Sequence, residues 1–173
     1  MWFVLADIVK VGETVIECIQ REIKEETSLN CDFFNTNIVY KLDEFSEGYK
    51  KIKHEEINVI DSSKYPIFIS NKKNGELSLM YLLHGIGELK ADMETQGILF
   101  LRGEDIKEIC TKKVTFSDYK NKGGKYLLTE KLGVIDEYPE DFILIPKTQL
   151  LFLNKLFDLE PELIKKFEGN NLK

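Results

Sequence analysis

Apolar residues in this chain come in short clusters separated by charged stretches, and the spacing within each cluster predicts an element. Trp2-Phe3-Val4-Leu5 is an unbroken apolar run suited to a buried strand. Ile16, Ile19 and Ile23 recur at helical spacing, and Thr14 with Glu17 forms the T-x-x-E capping pattern, so a helix is expected to start at Val15. Residues 38–42 read as a strand, and residues 43–56 as a polar, charged loop or insertion. Two strand-like runs, 65–70 and 77–84, flank a segment containing Asn74-Gly75, which signals a hairpin. Residues 97–101 predict another strand, followed by a short helix through 104–110. Residues 117–125 read as a helix or turn stopped by Gly123-Gly124. The stretches 148–157 and 161–167 are amphipathic and helical. This mixed order favours an α+β or α/β sandwich over a bundle or an all-β fold.

Composition narrows the class. At 173 residues, with 43% hydrophobic and 31% charged positions, the chain is expected to form a single domain (1–173) with a C-terminal helical extension from about 146 to 173. Its longest apolar clusters fall far short of a bilayer span, so no membrane partner is expected. Cys18, Cys31 and Cys110 are scattered and odd in number, which suits reduced thiols in a cytoplasmic protein. A net charge of −6 gives no global pull on nucleic acid, although a small phosphorylated ligand could bind through a metal ion.

Chemistry concentrates between Gly12 and Leu29. On a helix, Glu22, Glu25 and Glu26 sit at i, i+3 and i+4, so their carboxylates share one face. Such oxygens suit Mg²⁺ or Mn²⁺, which bind phosphates at the same time. Arg21 lies one turn from both Glu17 and Glu25 and can hold a carboxylate in position. Elsewhere the signals are weaker. His54 and His84 lack a second ligand at metal spacing, and Cys18 reads as a small buried residue. The lysine-flanked Gly123-Gly124 turn could grip a phosphate but reads better as a solvated loop.

Glu13, seven intervening residues, then Arg21-Glu22-Ile23-Lys24-Glu25-Glu26 with Leu29 beyond resembles the Nudix box, G-x5-E-x7-R-E-U-x-E-E-x-G-U with U aliphatic. The resemblance covers residues 7–29, and two glycines of the pattern are replaced, by Asp7 and by Ser28. Ser28 falls where a left-handed residue commonly ends a helix, at a cost of roughly 1–2 kcal/mol for a non-glycine unless the turn shifts to Asn30.

The resemblance implies an α/β fold, a Nudix-like α/β/α sandwich with a mixed sheet. The box begins close to Met1, so the sandwich is expected either short at its N-terminus or completed by later segments. It also implies a metal-dependent hydrolase that cleaves a phosphoanhydride in a nucleoside diphosphate linked to another group. By the same resemblance Glu25 and Glu26 are metal ligands, Glu22 is a ligand or the base, and Arg21 and Glu13 are orienting supports. The Ala6 backbone carbonyl would face the metal, and Glu94, from Asp92-Met93-Glu94, is the candidate ligand from a later loop. A small-molecule nucleotide derivative is the implied partner, with homodimerisation an option. The runner-up is a nucleotide-binding or regulatory module of the same fold with weak catalysis.

Overall fold

The computed structural model describes residues 2–3, 10–34, 38–42, 54–58, 64–71, 77–90, 97–128, 139 and 141–162. Among them helices and strands are mixed, and the strands form three small open sheets. The chain divides into two compact units, Met1–Ile19 with Cys31–Ile86, and Gln20–Asn30 with Gly87–Lys173.

In the first unit, β1 (Trp2–Phe3), β7 (Leu83–Ile86) and β2 (Asn30–Phe33) form one sheet in the order β1-β7-β2. β1 and β7 are antiparallel, with Trp2 opposite His84 and Phe3 opposite Leu83. The second sheet has the order β4-β3-β5-β6, with β3 at Ile38–Leu42, β4 at His54–Asn58, β5 at Phe68–Asn71 and β6 at Leu77–Met80. It is mixed: β3 runs parallel to β5, while the β3–β4 and β5–β6 pairs are antiparallel. Tyr40, Phe68 and Met80 stand in register on one face and are all buried, the Tyr40 and Phe68 ring centroids 5.5 Å apart. Pleating puts alternate residues on one face, so this row supplies the apolar side of the sheet.

The hairpin expected from Asn74-Gly75 is present as the antiparallel β5–β6 pair. Two expectations are corrected. The run read as one strand over 77–84 is two strands in different sheets, broken at Tyr81 and Leu82. All four residues from Met80 to Leu83 are buried, so no alternation marks the break. The segment read as loop to residue 56 ends in a strand, because His54–Asn58 pairs along the whole of β3.

In the second unit, β8 (Gly97–Phe100) pairs antiparallel with β9 (Lys125–Leu128). Around them lie α2 (Gly103–Thr111), α3 (Phe116–Asn121) and α4 (Thr148–Leu159). Ile109, Val114, Phe116, Tyr119 and Leu144 form a buried cluster against which Leu99, Leu101 and Leu150 pack. α3 ends in a Schellman motif: Gly123 N donates to Lys120 O and Gly124 N to Tyr119 O. Gly123 has φ +77°, and a Cβ on Gly124 would run into the Tyr119 ring. The glycine pair is therefore the stop of a helix, and Tyr119 explains why its second member is glycine. The Tyr119 hydroxyl lies 3.0 Å from Phe100 O and 2.6 Å from Lys125 O, an opposed pair at one end of the β8–β9 ladder. None of the described helices is long and apolar enough to cross a membrane.

Candidate metal-binding helix

The helix α1 runs over Val15–Thr27, from the first unit into the second. Its start follows from local chemistry. Thr14 Oγ1 accepts from Glu17 N at 3.2 Å, and Glu17 Oε2 accepts from Thr14 N at 2.8 Å, so both ends of the capping box are closed. These bonds hold the Glu17 carboxyl below its ordinary range, the Thr14 backbone N–H first and its hydroxyl second. Glu13, just before the cap, accepts from Lys10 N at 3.1 Å across a turn that includes Gly12 at φ +86°.

The i, i+4 repeat lays three lines along the helix surface. Ile19, Ile23 and Thr27 form one and are all buried. Cys18, Glu22 and Glu26 form the next, with Cys18 buried as expected and both glutamates half-buried. Glu17, Arg21 and Glu25 form the third. The candidate carboxylates therefore stand between the buried stripe and solvent. Glu22 is the more sheltered, its side chain 14% exposed against 40% for Glu25.

Arg21 draws two of the carboxylates together. Its Nη1 donates to Glu25 Oε2 at 3.1 Å and also to Glu22 Oε1. Among the described residues its second carboxylate is the neighbouring Glu22, while Glu17 is held by the cap.

The helix ends in a left-handed turn. Ser28 has φ +60°, and the turn does not move on to Asn30. Ser28 N keeps a helical bond to Lys24 O, and Lys24 Nζ donates to Ser28 O, both at 3.0 Å. Thr27 Oγ1 donates to Ile23 O at 2.5 Å and accepts from Leu29 N at 3.3 Å. Lys90 N donates to Thr27 O at 3.0 Å, tying the segment after β7 to the last turn of α1. No sequence signal marks this tie, because a backbone donor can be any residue except proline.

Glu22 and Glu25 offer oxygen donors near one point, and Mg²⁺ keeps several waters while taking only one or two carboxylates. The pair is chemically suited to such an ion. Among the described residues, however, no group of three or more His, Cys, Asp or Glu side chains lies close enough together to hold a metal. Glu26 lies one turn beyond Glu22 on the same helix line, and Ala6, Asp7 and Glu94 lie outside the described residues. His84 is exposed. Comparison with family models, with curated proteins and with solved structures gives no match to this chain.

Proposed function

We propose that this chain is a metal-dependent hydrolase of the Nudix type, cleaving a phosphoanhydride bond in a nucleoside diphosphate derivative, within a Nudix-like α/β/α sandwich. The observation that carries the reading is the convergence of Glu22 and Glu25 on Arg21, on a helix bounded by the Thr14 cap and the left-handed Ser28. In this reading Glu25 and Glu26 hold Mg²⁺ or Mn²⁺, with Glu22 a further ligand or the base, and the Ala6 carbonyl and Glu94 complete the donor set. When bound, such an ion neutralises phosphate oxygens and lowers the pKa of water.

The chain's own part is positional and acid–base. Arg21 fixes the Glu22 and Glu25 carboxylates, and Glu13 steadies the turn before the helix. Glu22, sheltered but not sealed from solvent, takes the proton of the attacking water as its oxygen bonds to phosphorus. The anhydride P–O bond then breaks and the leaving phosphate departs with the electron pair. Lys90 is four residues before Glu94, and its backbone N–H bonds to Thr27 O in the last turn of α1.

One observation favours the second reading, a nucleotide-binding module with weak catalysis. Arg21 already compensates Glu22 and Glu25, so the pair is stable without a cation. The deciding experiment incubates the purified chain and its Glu25→Gln variant with Mg²⁺ or Mn²⁺ and a panel of substrates. The panel comprises ADP-ribose, nucleotide sugars, coenzyme A, dinucleotides and oxidised nucleotides. Metal-dependent turnover by the parent, lost in the variant, supports the hydrolase. A folded parent that binds a panel member without cleaving it supports the module.

A further inference from the structure

The net charge of −6 conceals a local reversal. Residues 111–125 contain five lysines, Lys112, Lys113, Lys120, Lys122 and Lys125, against the single acidic residue Asp118. Lys112 and Lys122 both reach Glu108, at 3.5 Å for Lys112. Lys113 and Lys125 have no carboxylate partner among the described residues.

The same corner exposes aromatic rings. Tyr126 is 41% and Phe142 48% exposed, and both are anchored on the buried Phe116. The Tyr126 and Phe116 ring centroids are 5.1 Å apart, edge to face, and Phe116 N donates to Phe142 O at 2.8 Å. Lys120 Nζ stands 5.5 Å from the Phe116 ring centroid. Lys120, Tyr126 and Phe142 are thus all placed on Phe116, beside the α3–β9 corner.

We propose that this corner binds single-stranded nucleic acid. Exposed rings give bases a stacking surface without sequence preference, and lysines around them meet the backbone phosphates. Charge is felt over roughly a Debye length, about 8 Å at physiological salt, so distant acidic residues weaken the local excess little, while the nearby Glu108, Asp118 and Asp141 offset part of it. An acidic peptide would use the lysines but has no need of two exposed rings, which is why nucleic acid is favoured. The proposal departs, for this corner alone, from the expectation of no nucleic-acid partner drawn from whole-chain charge.

The test is fluorescence anisotropy of a labelled, mixed-sequence 12-nucleotide single strand with the full chain, at 50 and 200 mM KCl. Saturable binding is expected, weaker at high salt. Tyr126→Leu and Phe142→Ala should each weaken it by about tenfold, since stacking contributes roughly 1–3 kcal/mol per base. Lys120→Glu with Lys125→Glu should weaken binding and flatten its salt dependence, with thermal melting confirming that every variant is folded. The proposal is overturned by no binding at micromolar protein, or by binding indifferent to both ring variants. It is equally overturned if poly-glutamate competes as well as the oligonucleotide, or if Phe142→Ala abolishes a concentration-dependent self-association, which would assign the face to a second copy of the chain.

Discussion

Arg21 Nη1 lies 3.1 Å from Glu25 Oε2 and binds Glu22 with the same nitrogen, so one guanidinium stands where two carboxylates would otherwise repel. Arg21→Ala should lower stability by about 1–3 kcal/mol, because the sheltered Glu22 loses its charged partner. A divalent cation can take over that role. Adding Mg²⁺ is therefore expected to raise the melting temperature of Arg21→Ala, and to do so less in Arg21→Ala combined with Glu25→Gln. Equal shifts in both would argue against a metal at this carboxylate pair.

Ser28 holds a backbone conformation that a Cβ makes unfavourable by roughly 1–2 kcal/mol. Ser28→Gly should therefore stabilise the chain by a few tenths to about 1 kcal/mol, with glycine's unfolded-state entropy offsetting part of the relief. Ser28→Val should destabilise it by more. Denaturant unfolding of the three forms measures both changes, and a valine variant as stable as the parent would contradict the strained turn.

Gly124 and Tyr119 share one volume. Gly124→Ala must displace the Tyr119 ring, and with it the hydroxyl between Phe100 O and Lys125 O, so a loss of about 1–3 kcal/mol is expected. Tyr119→Phe removes the hydroxyl alone and should cost about 1 kcal/mol. In a Tyr119→Ala background the Gly124→Ala penalty should shrink sharply. Full additivity in that double-mutant cycle would show that the ring is not the obstacle.

Four of the described carboxyls are held below their ordinary range, Glu108 chiefly by the hydrogen bond from Lys122. For Glu17 and Asp118 the causes are the backbone N–H and then the hydroxyl of Thr14 and Thr115 respectively. For Asp105, burial pushes the other way, but the hydrogen bonds from Arg102 outweigh it. Groups with lowered folded pKa values stabilise fully above their unfolded values, near pH 4, and lose that contribution as pH falls through the folded ones. Urea midpoints should therefore stay level from neutral pH to about 5 and decline below about 4. A midpoint that rises on acidification would refute these assignments.

Local signals were readable in the sequence, and tertiary ones were not. Thr14 with Glu17 marked the start of α1 at Val15, and residues 38–42 marked β3 to the residue, because capping and apolar runs act over a few positions. The left-handed Ser28 carries no local signal of its own, since serine is not a residue that favours this conformation. β4 was missed because His54-Glu55-Glu56 is charged, a composition that edge strands tolerate and often use against aggregation. β2 (Asn-Cys-Asp-Phe) and β9 were missed because four-residue strands carry too little alternation to stand out. The tie from Lys90 to Thr27 exists only in the folded chain.

β3 shields the edge of β5, and that shield is slow to assemble. The antiparallel β5–β6 pair joins neighbouring segments, whereas the parallel β3–β5 pair must first close the chain between Leu42 and Phe68, with β4 inside the loop. Loop closure precedes any reward from such distant contacts, so the β5–β6 hairpin is expected to form early and β3 to dock late. Until it docks, Phe68-Ile69-Ser70 offers unpaired backbone groups beside apolar side chains, open to capture by a strand of another molecule. Weakening Val39 or Tyr40 would lengthen that interval, making aggregation during refolding, more than loss of equilibrium stability, the characteristic failure of this sheet.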